Sequence, residues 1–334
     1  METATVLLAL VVLLGIAFEF VNGFHDAANA IATVVATRVL TPAQAILMAG
    51  VLNLVGALSG EAVATTVGKG IVDSTVITQD IVAAALIGAI IWDLITFVAA
   101  LPTSSSHALI FSVIGAALSV HGTEVIVIGG LQKTTLGIVY SPALSFIVAY
   151  LFMLGIYWLL RNVSYRFVNS LFGRAQILSS MYMAFSHGGN DGQKTMGVIA
   201  LAVYAFHGNT GEFRIDTWVK VACAVSIGLG TATGGWRIIR TMGMRITALK
   251  PVNGFAAETS AATVIEIATR LGIPISTTHA ISGAILGVGA TRRLSAVRWG
   301  IASRIVTAWV LTIPGCFVLG YVTATVMRTL GVHP

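Results

Sequence analysis

One polar break is written twice into this chain. Residues 101–107 read LPTSSSH and residues 273–279 read IPISTTH, each inside long apolar stretches. A second polar motif lies upstream of each, GFHDAANA at 23–30 and GGNDGQKT at 188–195. Pro102 and Pro274 are 172 positions apart, and Asp26 and Asp191 are 165 apart. Spacing so well matched constrains the fold to two similar halves, each interrupted at a corresponding point. In a membrane chain, paired interruptions of this kind mark a substrate site at the interface between repeats, the architecture of secondary transporters.

The composition fits lipid as the solvent. Of 334 residues, 56% are hydrophobic and only 10% charged, with 35 glycines, whereas a soluble domain carries about 25% charged residues. Runs at 4–18, 43–59, 81–101, 142–160 and 305–327 approach or exceed the roughly 20 residues that cross a bilayer core as helix. About ten hydrophobic segments are expected in all, some of them half-helices. The expected class is therefore an all-α polytopic membrane protein built from two inverted-topology repeats with discontinuous helices. The first apolar run lacks a basic leading region and continues into the polar motif at 23–30, so it does not read as a cleaved signal peptide.

The net charge of +6 does not call for nucleic acid. Twelve of the 19 Lys and Arg fall in four places: Arg38; Arg161, Arg166 and Arg174; Arg237, Arg240, Arg245 and Lys250; and Arg292, Arg293, Arg298 and Arg304. Asp73, Asp80, Glu212 and Asp216 mark other connections. Placing the basic clusters in the cytoplasm sends the first segment inward and residues 175–205 outward. Both termini then lie outside a prokaryotic inner (plasma) membrane that the chain crosses several times. The expected division is a first repeat over 1–160, a cytoplasmic connector over 161–176, and a second repeat over 177–334. Gly60 and Gly68 align with Gly235 and Gly243, a weaker echo of the same duplication. Cys223 and Cys316 sit in apolar runs and read as buried, inert thiols.

Proline lacks an N–H and disfavours helix at the residue before it. A Ser/Thr run after it caps the next helix. Each hairpin motif should thus be a broken helix that restarts at the hydroxyl run, tolerated at membrane depth only where it is buried or lines a cavity. A helix N-terminus attracts anions through free N–H groups and its dipole. Two such ends facing each other would surround a small tetrahedral oxyanion with Ser104, Ser105, Ser106, Ser276, Thr277 and Thr278. The bland alternative is that these residues merely cap two kinked helices.

Asp26 and Asp191 are acidic groups inside the membrane, which are functional by default. With Asn29 and Asn190 they supply hard oxygen ligands for a small cation or a proton. Locking to a neighbouring histidine, His25 or His187, is the structural alternative. Alignment of the two motifs puts Lys194 opposite Asn29 and Gln193 opposite Ala28. An ammonium has three donors and no acceptor, so Lys194 can occupy a cation's place but cannot ligate one. It would neutralise Asp191 or help Gln193 hold the anion. His107 and His279 superficially complete a Ser/His/Asp set, but a hydrolase needs one nucleophile and an asymmetric base. The doubled arrangement reads as a binding site and not as an enzyme. The two histidines are expected to bond backbone carbonyls and hold the broken helices. Glu61 and Glu258 could face the transport path, and Glu266 should pair with Arg270 one turn on.

Together GFHDAANAIAT, SHGGNDGQKTMG, LPTSSSHALI and IPISTTHAISGAILG resemble the inorganic phosphate transporter (PiT) family over essentially the whole chain. The resemblance implies an inverted-repeat fold with phosphate between the hairpins, bound among Ser104, Ser105, Ser106, Ser276, Thr277 and Thr278; Gln193 and Lys194, where this sequence departs from the signature, are expected as further substrate ligands. It implies ion coupling through Asp26, Asn29, Asn190 and Asp191, with His25 beside them. His25 replaces an Asn frequent in the family signature, and Gln193–Lys194 replace a second Ala–Asn. Both changes remove amide oxygens from the cation sites. This resembles the bacterial low-affinity branch, which couples to protons and needs no resident metal or other cofactor. A metal–phosphate complex stays open as the cargo.

The expected partners are inorganic phosphate and the lipid bilayer. The sequence is compatible with a homodimer but leaves oligomeric state open. Three alternatives also stand: a sulfate or thiosulfate carrier on the same fold, a sodium-coupled phosphate symporter, and a passive anion channel. Phosphate keeps an O–H in part of its population and so wants acceptors in the site, whereas sulfate wants donors only.

Overall fold

The structure, a computed structural model, describes residues 2–332. It is almost entirely helical; among the described residues the β-type pairing is an isolated bridge between Val72 and Ile126. The first half runs α1 (Glu2–His25), α2 (Ala27–Ala36), α3 (Pro42–Ala57), α4 (Ala62–Gly70), α5 (Gln79–Val98), α6 (Ser105–His121) and α7 (Ile128–Leu159). The second runs α8 (Tyr165–Phe206), α9 (Thr217–Thr233), α10 (Trp236–Arg240), a π-helical turn (Thr241–Arg245), α11 (Pro251–Arg270), α12 (Thr277–Ala290) and α13 (Trp299–Thr329).

Among the described residues, five helical spans are long and apolar enough to cross a membrane, six if the bent pair α3–α4 is one span. This is fewer than the roughly ten segments expected from apolar runs, for a physical reason. Helices α8 and α11 carry polar motifs at their centres, and α9 and α12 are only 17 and 14 residues long. The polar centres point inward: from Ser186 to Ala202 every residue of α8 is buried. Apolar side chains such as Val139, Leu151, Val310 and Val318 are exposed on α7 and α13, where lipid is the solvent that tolerates them.

The two halves exchange partners. Helix α6 packs on α13 and α12 on α7; α1 packs on α9 and α8 on α3. Glycine makes the closest of these approaches possible. A Cβ on Gly115 would lie 2.1 Å from the Phe317 carbonyl oxygen, and one on Gly287 would lie 2.3 Å from that of Phe146. The weaker glycine alignment also acquires a meaning. Gly68 rests against the Gly197 carbonyl and Gly243 against that of Ala32, and these two acceptors have the spacing of the motif aspartates. Backbone contact between helices is what small residues permit.

The connector expected over 161–176 is mostly helix. Ser164 caps α8 by accepting from Phe167 N, and the helix then runs unbroken to Phe206. Phe172 is buried against Phe255, with ring centroids 5.1 Å apart, and Gln176 is fully buried. Apolar and amide contacts at one helical face are enough to order a stretch that reads as polar in sequence.

Candidate functional site

Both breaks fall where proline and the hydroxyl runs put them. Helix α5 ends through Ala100 at φ 55°, and α11 ends through Gly272 at φ 62°, a left-handed residue that closes the last turn. The chains then run extended through Pro102 and Pro274 and re-enter helix at α6 and α12. Ser104 accepts from His107 N at 3.3 Å and Ser276 from His279 N at 3.2 Å. These two serines are therefore N-caps, as the bland alternative had it. The residues after them behave differently.

Ser105, Ser106, Thr277 and Thr278 are at most 5% exposed, and most reach across to the other motif pair. Thr277 Oγ donates to Asp191 Oδ2 at 2.8 Å and accepts from Asn29 Nδ2 at 3.2 Å. Thr278 Oγ donates to Asp26 Oδ2 at 3.3 Å and accepts from Asn29 at 2.9 Å. Ser106 Oγ donates to Asp191 Oδ1 at 3.3 Å. The hydroxyl of Ser105 makes no hydrogen bond. Asp26 itself stands at the joint between α1 and α2, at φ −95° and ψ 5°, in the sparsely populated bridge region where active-site residues collect.

Lys194 ties the site together. Its Nζ donates to Asp191 Oδ1 at 2.5 Å, to Ser106 Oγ at 2.5 Å on the first hairpin and to the Ile275 carbonyl at 2.6 Å on the second. All three donors of the ammonium thus find oxygen in a site that is 2% exposed. Donor atoms of Asp26, His187 and Asp191 lie within 4.8 Å of one another. A further cation entering this triangle would meet the Lys194 charge beside it, so the lysine opposes cation binding there.

A histidine stands against each aspartate; His25 hydrogen-bonds Asp26, whereas His187 Nε2 makes no hydrogen bond. His25 Nδ1 lies 2.7 Å from Asp26 Oδ1, and His187 Nε2 lies 3.2 Å from Asp191 Oδ2. Asn53 fixes His187 from behind, Oδ1 to Nδ1 at 2.7 Å. The structural alternative, locking to histidine, is thus realised for Asp26, alongside its contact to the Thr278 hydroxyl.

Not every candidate joins the cluster. Gln193 turns away: its Oε1 accepts from Val63 N at 3.0 Å and caps the first turn of α4. Its amide oxygen is held by a helix end and not by the hydroxyls around Lys194. Asn190 donates to Thr269 Oγ at 2.7 Å and leaves its Oδ1 unpartnered. The expectation that both hairpin histidines bond carbonyls fails for His107, neither of whose ring nitrogens has a partner. The rings meet each other instead, 4.5 Å apart and edge to face, and His279 stacks on Trp309 at 3.8 Å. Aromatic packing holds the crossing point of α6 and α12 where hydrogen bonding was expected.

Glu61 is exposed and pairs with Lys220, outside the cluster. Glu266 pairs with Arg270 at 2.8 Å, as its spacing suggested. Glu258 is buried and accepts from Thr33, Gln176 and Ser179. Trp309 escaped the sequence reading: its Nε1 donates to the Pro102 carbonyl at 3.0 Å, so one residue of α13 braces both hairpins.

The phosphate transporter family matches residues 22–320. A Rhizobium meliloti (strain 1021) protein called "Probable low-affinity inorganic phosphate transporter" is 49% identical over 298 residues, 89% of each chain. A Bacillus subtilis (strain 168) protein of the same name is 40% identical over 332 residues, 99% of this chain and all of that one. A solved structure called "The sodium-dependent phosphate transporter" is similar with a TM-score of 0.88 at 27% identity, covering 97% of this chain and 100% of the other.

Proposed function

Because the chain belongs to the phosphate transporter family, we propose that it is a secondary active transporter that imports inorganic phosphate with protons. The inverted arrangement of the halves, their division near residues 161–176, the inner (plasma) membrane and the outward termini belong to the same proposal. The terminal residues 1, 333 and 334 themselves lie outside the described residues.

One observation carries the choice of coupling ion. Lys194 Nζ sits among the oxygens of Asp191, Ser106 and Ile275, a carboxylate, a hydroxyl and a carbonyl, which is the ligand type a hard cation requires. A built-in ammonium takes the place of a transported one. The anion would bind between the starts of α6 and α12, using Ser105, Ser106, Thr277 and Thr278 with the helix dipoles and Lys194 as counter-charge. Asp26 and Asp191 supply the acceptors that a protonated phosphate needs and that sulfate or thiosulfate would not. Protons are taken up on the Asp26–His25 side, away from the lysine. A metal ion accompanying phosphate would enter as cargo. The burial of the whole cluster favours alternating access over an open anion channel.

A sodium-coupled reading has support from Asn29, whose Oδ1 has no partner, and from the structural neighbour, whose name specifies sodium. Uptake of radiolabelled phosphate into proteoliposomes separates the two. We expect accumulation that survives complete removal of sodium, falls as external pH rises and collapses with a protonophore. Strict dependence on sodium with indifference to the proton gradient would defeat proton coupling.

The hydroxyl ligands give a second expected result. Thr277→Val keeps the side-chain shape and removes a donor and an acceptor. A hydrogen bond to a charged group is worth about 1.5–3 kcal/mol, so half-saturation should rise roughly tenfold to a hundredfold. An unchanged half-saturation in transport assays would remove the second hairpin from the site.

A further inference from the structure

One buried acid remains without a role. Asp93 on α5 is fully buried, and neither carboxylate oxygen has a hydrogen-bond partner. An ionised carboxylate in that condition, inside a membrane protein, is strongly disfavoured. The neutral acid is the form that fits this closed arrangement. The fully buried glutamates Glu19 and Glu258 differ in accepting hydrogen bonds, from Thr195 and from Thr33 and Ser179 respectively.

The surroundings of Asp93 connect it to the transport site. Ser105, first residue of α6, lies beside the carboxyl group on a helix that packs against α5, and its hydroxyl makes no hydrogen bond. From the end of α1 comes His25, from its joint with α2 comes Asp26, and from α8 comes Asp191. Helix α13 presents the Cys316 thiol. Helix α10 contributes Arg237, which is engaged with the Val98 carbonyl at the exposed end of α5. His25 Nε2 reaches Thr96 Oγ at 3.1 Å, and Thr96 lies one turn beyond Asp93 on the same helix. The histidine therefore bridges the Asp26 carboxylate and the turn that carries Asp93.

We propose that Asp93 is the residue that carries the coupling proton, and that Ser105 transmits its protonation state to the bound phosphate. This rests on the proton-symport reading above. The linkage follows from the single hydrogen on a serine hydroxyl. When Asp93 is protonated, its O–H donates to Ser105 Oγ, and the serine hydrogen is free to point at the anion. When Asp93 is ionised, the carboxylate takes that hydrogen, and Ser105 turns lone pairs toward the anion. A proton on Asp93 thus strengthens phosphate binding, and by reciprocity bound phosphate holds the proton. One proton enters with the anion from the outer side, with His25 as the exchanging base, and leaves Asp93 when phosphate leaves inside.

Asp93→Asn tests this directly, because the amide keeps a donor toward Ser105 and cannot release it. In the unmodified protein, half-saturation for phosphate should rise about tenfold from acidic to alkaline medium, the worth of one hydrogen bond to a charged group. In Asp93→Asn the half-saturation should stay flat, and the variant should carry phosphate exchange without gradient-driven accumulation. Normal accumulation with the original pH profile in Asp93→Asn, beside proton-driven uptake by the unmodified protein, overturns the proposal and leaves proton symport standing. Sodium-driven, pH-indifferent uptake by the unmodified protein overturns both. Should Asp93→Asn fail to fold, infrared difference spectra of the unmodified protein provide the second test. A protonated-carboxyl band that responds to phosphate and shifts in Asp93→Glu supports the assignment, and a band indifferent to Asp93→Glu sinks it.

Discussion

Lys194→Met should both destabilise the protein and end phosphate uptake. The ammonium is the shared partner of Asp191, Ser106 and the Ile275 carbonyl. Removing it leaves Asp191 with a buried charge and only neutral donors and His187 around it. Breaking a buried pair from one side costs about 3–5 kcal/mol, a large share of the roughly 5–15 kcal/mol typical of a folded protein. The double variant Lys194→Met with Asp191→Asn removes both charges and should recover most of that stability, because the penalty comes from the unpaired charge more than from the lost attraction. Uptake should not return, since neither the counter-charge for the anion nor the carboxylate is present. Thermal unfolding in detergent and uptake in proteoliposomes read the two effects separately. A single variant as stable as the unmodified protein would show that Lys194 is not the tie between the hairpins.

The same contacts explain what was legible in the sequence. The hairpins could be read because proline and Ser/Thr act locally: Ser104 and Ser276 cap the helices that their own positions predict. Asp26 and Asp191 stand at matching positions of the duplicated motif, and the fold brings their carboxylates within 4.8 Å of each other. The same spacing carries further signals. Pro142 and Pro314, both inside long helices, are 172 positions apart like the hairpin prolines, and so are Gly115 and Gly287.

What could not be read depends on direction within one helical turn. Gln193 and Lys194 are neighbours on α8, yet one caps α4 and the other reaches the hairpins. Adjacent residues on a helix point about 100° apart, and only the packing of α4 against α8 decides which of them enters the site. Trp309 is silent for a similar reason, and Asp93 is legible only as an acid inside the membrane. Each lies on an apolar helix whose sequence does not reveal which face meets the first hairpin.

Asp26→Asn should abolish concentrative uptake while the protein still folds. The carboxylate accepts from two sides, His25 Nδ1 at Oδ1 and Thr278 at Oδ2. An amide of the same shape keeps one acceptor and turns the other position into a donor, which opposes whichever donor already points there. Either Thr278 must let go, or His25 must take the tautomer that accepts at Nδ1. Release of Thr278 loosens the start of α12, and a fixed tautomer of His25 interrupts the path by which a proton would reach the site. The affected bond involves a charged group and is worth about 1.5–3 kcal/mol, so binding should weaken roughly tenfold to a hundredfold and accumulation against a gradient should vanish. Overall stability should fall much less than in Lys194→Met, because no charge is left stranded. Uptake by Asp26→Asn that still concentrates phosphate would make this carboxylate a structural brace for α1 and α2 and would place the proton path elsewhere.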